Sequence, residues 1–430
     1  MDMRRVRVAF LVIVSGFLMG LAAVDCHASG FGIFTQDSAS TSQASATIAH
    51  ADGPSAVFFN PALINQLPGT QISLGTTLII PSRQFTNTST GQTTKTERQT
   101  FFPSNLYITH AVNDKLSFGF GMYNPFGLST KWPTDWEGRY LATNSELTTL
   151  AFNPVVSVRV TPWLSVAAGA VYLRVESTLE RQMDFSAFLL PDGSQKFKGS
   201  GDGIGGNLGI LIEPAKDISV GLSYRSKIRA SIDGNASFEL PAAGAPLLPL
   251  LFPNTTGRAK IDLPAQAYFG VYFRQLYPFT FEVASRWEQW SSFKELNIQF
   301  GQPVFFSMNA VTPRNWRDTW TGMIGMKYQL VDTVALMGGY LYQRGAVPDA
   351  TFEPAIPDAD SHLFTVGASI KPTKSLSIDA GYGYQRLLNR TKNNTIDDNL
   401  TDGFFNPATA ANGTYKSRLH MVSLNLSYRF

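Results

Sequence analysis

The sequence predicts an all-β fold: a 14-stranded antiparallel transmembrane β-barrel with an N-terminal hatch, a plug, in its lumen. Three observations carry this. From about residue 71 onward, segments of about ten residues alternate apolar and polar positions, the length at which a tilted strand crosses a bilayer. The connections between them are alternately very short and very long, the rhythm of an outer-membrane barrel. The segment ending at Phe430 also keeps its alternation to the end, with Val422, Leu424, Leu426 and Tyr428 against Ser423, Asn425, Ser427 and Arg429, as expected of a strand that closes a sheet.

The chain has 430 residues, which would suggest several soluble domains, but the repeated pattern argues for one closed sheet. Only 16% of residues are charged and 12% are aromatic, while mean hydropathy stays near zero because each apolar position is matched by a polar one. Period-two segments lie near residues 71–80, 105–112, 115–124, 147–160, 163–178, 205–213 and 218–229. Seven more lie near 263–275, 278–290, 317–330, 332–344, 361–371, 374–388 and 415–430. Asn113-Asp114, Thr161-Pro162, residues 214–217, Leu276-Tyr277, Val331 and Pro372-Thr373 are the short turns. Residues 81–104, 125–146, 180–204, 230–262, 291–316, 345–360 and 389–414 are expected to be long outer loops. Trp287, Trp320, Tyr328, Tyr340 and Tyr342 near strand ends suit an aromatic girdle, whereas a propeller or sandwich would show spaced signature motifs and buried apolar runs.

Arg4, Arg5 and Arg7 precede an apolar stretch over residues 8–24, and Cys26-His27-Ala28 offers small residues for cleavage, so residues 1–28 read as a secretory signal. Its removal would take away the only cysteine, three arginines and two aspartates, leaving a net charge of about +2, which gives no reason to expect nucleic acid. Residues 29–70 break the barrel rhythm. They are small and polar and end in the apolar run Phe58, Phe59, Ala62, Leu63, Ile64, which a disordered tail would not need and a lumen would bury.

Chemistry-bearing motifs are sparse. Gly201, Gly203 and Gly206 have dinucleotide-fingerprint spacing but precede a strand rather than a helix, so no phosphate cradle is expected. His50, His110, His362 and His420 lack metal spacing, and the serine- and zinc-hydrolase motifs are absent, so no enzyme activity, metal or cofactor is expected. Asn124-Pro125-Phe126-Gly127 ends the third strand, where proline cannot donate to the ladder and the strand must bulge or leave its neighbour. Phe185, Phe188, Leu189 and Leu190 in one outer loop, and Leu247, Leu248, Leu250, Leu251 and Phe252 in another, are apolar where loops are usually polar, which marks either a binding surface or two loops packed on each other.

The chain resembles the FadL/TodX family of outer-membrane transporters for long-chain fatty acids and other hydrophobic compounds. The matching residues are Gly30-Phe31 and Asn60-Pro61-Ala62 at the two ends of the hatch, then Gly201-Asp202-Gly203, Tyr224-Arg225-Ser226-Lys227, Trp290-Ser291-Ser292-Phe293, residues 315–320, Val347-Pro348-Asp349 and Ile356-Pro357-Asp358. Residues 41–47 carry less glycine than family hatches do, and Ser361-His362 stands where an arginine is usual. The resemblance implies passive uptake of long-chain fatty acids or aromatic or aliphatic hydrocarbons. It implies loop capture by the two apolar loops, lumen binding near Tyr123 and Phe126, and a hatch gated at Asn60, Pro61 and Ala62. It further implies lateral release at a kink formed by Asn124, Pro125 and Gly127. Arg181 and Arg317 match basic positions that hold a substrate carboxylate in fatty-acid members; a purely structural pairing is the alternative. Expected partners are a hydrophobic ligand and outer-membrane lipid and lipopolysaccharide, with the chain a monomer. The rival expectation is a non-transporting adhesin or receptor barrel, which would carry polar loops and an inert hatch.

Overall fold

In the computed structural model, residues 30–244, 247–397 and 409–430 are described; the signal segment lies outside them. Fourteen antiparallel wall strands form a closed barrel. In order they are Thr70–Asn87, Ser104–Ala111, Leu116–Tyr123 continued by Gly127–Lys131, Asn144–Thr161, Leu164–Met183, Gly193–Ala215, and Ile218–Arg225 continued by Ile228–Glu239. The second half comprises Thr255–Leu263 with Gln266–Phe273, Phe279–Glu288 with Glu295–Val304, Ser307–Pro313 with Thr319–Val331, Val334–Gln343, Ser361–Ile370, Leu376–Leu387 with Arg390–Lys392, and Gly413–Arg429. The last strand pairs with the first from Gln71↔Arg429 to Asn87↔Gly413, so the sheet has no free edge. The short turns gather at one end of the barrel, the end where Thr70 pairs with His110 and where the last strand finishes.

Each strand meets two environments. Near the short-turn end the outward side chains are apolar, as with Val422, Leu424 and Leu426, while Ser423 and Asn425 point inward and are buried. An aromatic band caps this zone: Tyr340 bonds His362 Nδ1 and Tyr382 bonds His420 Nδ1, both at 2.8 Å.

The strands run farther than the sequence suggests. Residues 180–204, 230–262 and 291–316 are largely strand rather than irregular loop, and Val331 belongs to a strand whose turn is Asp332-Thr333. The reason is an inversion of faces. Beyond the bilayer, Lys196, Lys198, Asp233 and Asn235 point outward into water while Phe197, Ile232, Ala236 and Ile261 point inward and are buried. The period of two persists, but apolar residues change sides, so a search for lipid-facing stripes stops too early.

Residues 30–67 lie inside this wall. A short helix, Ser38–Ser42, capped by Asp37 whose carboxylate accepts from the Ser40 N–H at 2.6 Å, touches wall strands eleven to fourteen and strand one. The 3₁₀ turn Pro61–Gln66 touches strands two to six, so the segment crosses the barrel's width. The wall admits it at positions without side chains. A Cβ on Gly209, Gly221, Gly339 or Gly367 would collide with Asn60, Ile48, Gln43 or Ser42 respectively. We expect Gly221→Val, whose branched side chain cannot avoid the Ile48 carbonyl, to expel the segment while the barrel still assembles. Protease accessibility of residues 40–60 should rise in folded protein, and unchanged protection would show that the close fit is dispensable.

Candidate functional site

The break in strand three is the centre of the site. Strand two pairs with strand three only as far as Leu106↔Met122. Beyond that, Phe101 and Pro103 pair instead with strand one, through Ile79↔Phe101 and the Thr77 N–H on the Pro103 carbonyl. Strand three meanwhile stays tied to strand four, from Gly127↔Thr148 to Lys131↔Asn144. A window therefore separates the two strands, closing again where the Glu97 N–H reaches the Lys131 carbonyl at 2.8 Å. The proline is the local cause, since it supplies no N–H to strand two.

Backbone groups left over at the break find other partners. The Phe126 N–H donates to Thr149 Oγ1 at 3.0 Å, and Thr149 Oγ1 donates back to the Phe126 carbonyl. On the free edge the N-terminal segment acts as a short added strand. The Ile33 N–H donates to the Pro125 carbonyl and the Gly127 N–H to the Phe31 carbonyl, both at 2.9 Å, around the bridge Gly32↔Phe126. A Cβ on Gly127 would lie 2.6 Å from Ile33 Cδ1, so a side chain there would make the tip of Ile33 turn aside.

Several sequence motifs converge on the start of that segment. Phe31 sits against Trp290, Phe293, Trp316 and Phe126, with ring centroids 4.8 to 6.3 Å apart. Gly30 has φ +60°, and a side chain there would strike Trp290 and Trp316. Asp358 accepts from the Gly30 N–H at 3.4 Å and the Ala346 N–H at 2.9 Å.

Behind the window lies a cavity of about 300 Å³. Its apolar lining includes Phe31, Ile33, Phe126, Leu128, Ile356 and Leu419, and Arg83 stands at its window side. Phe102, 63% exposed, also borders the cavity beside Phe101 and Pro103.

Deeper in the lumen two polar clamps hold the segment. Asn60 Nδ2 donates to the Ile48 and Ile210 carbonyls at 2.9 and 3.0 Å, and its Oδ1 accepts from the Ala62 N–H at 3.1 Å. Pro61 fixes the first position of the turn that follows. Arg225 donates to the Phe58 carbonyl and to Tyr123 Oη, and lies over the Phe58 ring at 4.2 Å. The second clamp is ionic. Glu282 accepts from the Ile48 and Ala49 N–H groups and from His50 Nδ1 at 2.6 Å, and Asp52 joins His50 Nε2 at 3.1 Å and Lys327 Nζ. Burial by itself disfavours the imidazolium, but Asp52 and Glu282 outweigh it and hold His50 well above its usual range.

The sequence-derived candidates therefore divide. Phe126, Asn124 and Gly127 border the cavity, with Pro125 between them in the break. Tyr123 is fully buried against Phe58 and Tyr107 and holds the clamp rather than the cavity. Arg181 is half-buried, its Nε on Gln195 Oε1 at 3.0 Å, and Arg317 is exposed; neither borders the cavity. In the apolar loops, Phe185, Leu248 and Phe252 pack inward, with Phe185 and Phe252 centroids 5.5 Å apart. Leu189 and Leu250 stay 95% and 77% exposed, Leu247 and Phe188 are exposed, and Leu190 and Leu251 are half-buried. Part of each loop is thus packed inward and part left exposed. Phe305 and Phe306, from a third hairpin, complete this crown; sequence reading passed over them although Pro303, Val304 and Met308 flank them. It also passed over Arg83, Glu282 and Lys327, single charges at inward positions of strands, which only strand parity could have marked.

Comparison with known proteins gives a consistent picture. The family profile described as outer membrane protein transport protein (OMPP1/FadL/TodX) matches residues 19–430. The 47 kDa outer membrane protein of Pasteurella multocida is 27% identical over 88% of this chain and 89% of its own length. The long-chain fatty acid transport protein of Salmonella typhi is 25% identical over 78% of this chain and 82% of its own. Among solved structures, a Pseudomonas aeruginosa FadL homologue superposes with a TM-score of 0.82 at 20% identity, covering 94% of this chain and all of that one. The P. putida toluene transporter TodX gives 0.73 at 16% identity, covering 94% and 99%. At those identities the structural matches establish the fold. The named relatives are outer-membrane proteins and transporters rather than enzymes.

Proposed function

Since the chain belongs to the OMPP1/FadL/TodX family of outer membrane transport proteins, we propose that it carries hydrophobic molecules, long-chain fatty acids or hydrocarbons, inward across the outer membrane without an energy source. The single observation that carries this reading is the interrupted third strand, with an apolar cavity behind it and a chain segment, not a wall strand, filling its free edge. Exposed Leu189, Leu250 and Phe306 first take the ligand from the outer surface. The ligand then lodges in the cavity. The N-terminal hatch, residues 29–70, withdraws residues 31–33 from strand three, and the ligand leaves sideways past Phe102 into the bilayer. A lateral route spares apolar surface from crossing the aqueous periplasm. The working unit is one chain, because the barrel closes on itself and the cavity is complete within it.

Asn60→Ala tests this directly. It removes two donors and an acceptor at the centre of the hatch, about 1–3 kcal/mol of seating. Cells displaying the unmodified chain should accumulate radiolabelled oleate or toluene several-fold faster than cells without it, and the variant should change that rate at equal surface abundance. Equal accumulation in all three would overturn the transport reading.

A further inference from the structure

Arg83 points inward from strand one and crosses the window, its Nη1 donating to the Ser129 carbonyl of strand three at 2.7 Å. Its Nε is buried and, among the described residues, has no hydrogen-bond partner. Among the described residues no carboxylate forms an ion pair with it. The acids nearby are Glu97, paired with Lys131 at 2.7 Å, and two that border the cavity: Asp358, which accepts from the Gly30 and Ala346 amides, and Glu146, which is exposed. A guanidinium is always charged, and leaving one buried beside apolar side chains without an anion is costly. The apolar part of the lining, which includes Phe31, Ile33, Phe126, Leu128 and Leu419, suits a hydrocarbon chain.

We propose that Arg83 is the residue by which the cavity recognises a carboxylate, so that the preferred ligand is a long-chain carboxylate with its head at the Ser129 end of the window and its tail among Phe31, Ile33 and Phe126. The guanidinium offers Nε and a terminal nitrogen in the fork that matches a carboxylate's two oxygens. The assignment rests on the cavity being a ligand site, and it places recognition at the window itself, apart from Arg181 and Arg317.

The test compares palmitate with hexadecanol, which share a tail and differ in the charged head, on full-length protein in detergent at pH 8. The unmodified chain should bind palmitate about tenfold more tightly than hexadecanol. Arg83→Met, nearly isosteric and uncharged, should abolish that preference while leaving hexadecanol affinity unchanged; Arg83→Lys should keep part of it. Arg181→Ala combined with Arg317→Ala should leave the preference intact. If Arg83→Met keeps the full preference, or the Arg181/Arg317 pair removes it, the assignment falls while the cavity stands. If the unmodified chain binds neither compound, the cavity reading falls and the assignment with it. A variant that fails to fold is recognised by loss of heat-modifiable migration, and the Arg83→Lys protein, with charge kept and fork lost, then decides: a palmitate preference reduced below that of the unmodified chain supports the assignment, and an undiminished preference overturns it.

Discussion

Glu282→Ala should unseat the N-terminal segment and turn a plugged barrel into a conducting one. One carboxylate on wall strand nine satisfies the Ile48 and Ala49 amides and the His50 imidazolium. Removing it leaves two buried N–H groups and a charge that retains only Asp52. Breaking a buried pair in this way costs about 3–5 kcal/mol, enough to shift the seated population by two orders of magnitude or more. The wall keeps its ladder, since position 282 pairs through its backbone with Tyr272 and Gly325. Planar-bilayer conductance should therefore rise, and cells should become sensitive to antibiotics too large for the intact outer membrane. Conductance at the unmodified level would show that Arg225 and Asn60 hold the segment by themselves. His50 supplies a pH arm of the same experiment. Its raised pKa means that its contribution is fully present below the ordinary histidine value and is lost as pH rises through the higher value of the folded state. Conductance of the unmodified chain should accordingly increase toward alkaline pH, and Glu282→Ala should flatten that dependence.

A reversible lock should abolish uptake. Gly32 and Phe126 form the bridge between the N-terminal segment and strand three, and the flanking bonds from Ile33 and Gly127 make them a non-hydrogen-bonded antiparallel pair, with Cα atoms about 4.5 Å apart. That spacing lies within disulfide reach. Gly32→Cys with Phe126→Cys, in a chain whose only native cysteine is Cys26, should close the bridge under oxidation. If ligand leaves through the window only after residues 31–33 withdraw, oxidised cells should transport at least about tenfold more slowly than reduced ones, with capture by the outer loops unaffected. Reductant should restore the rate, which separates the lock from any effect of losing the Phe126 ring. Equal rates in both states would move the exit away from the window.

The strand count, most of the turns, and the break at Pro125 were legible because each depends on local chemistry: the period of two, turn-forming residues, and a missing N–H. The lumen placement of residues 58–64 followed from composition, since an apolar cluster needs somewhere dry. The outer halves of the strands were not legible, because water on the outside reverses which face is apolar while leaving the period unchanged. Nor could the sequence separate the arginines from one another. Arg83, Arg225, Arg181 and Arg317 are alike as residue types, yet one stands at the window, one grips Phe58, one is bonded to Gln195 and one is exposed. That division is decided by barrel closure, which brings strand one beside strand fourteen and sets residue 32 against residue 126 and residue 50 against residue 282. Pairings across such separations carry no local signature; they exist only once the sheet has closed around the segment it encloses.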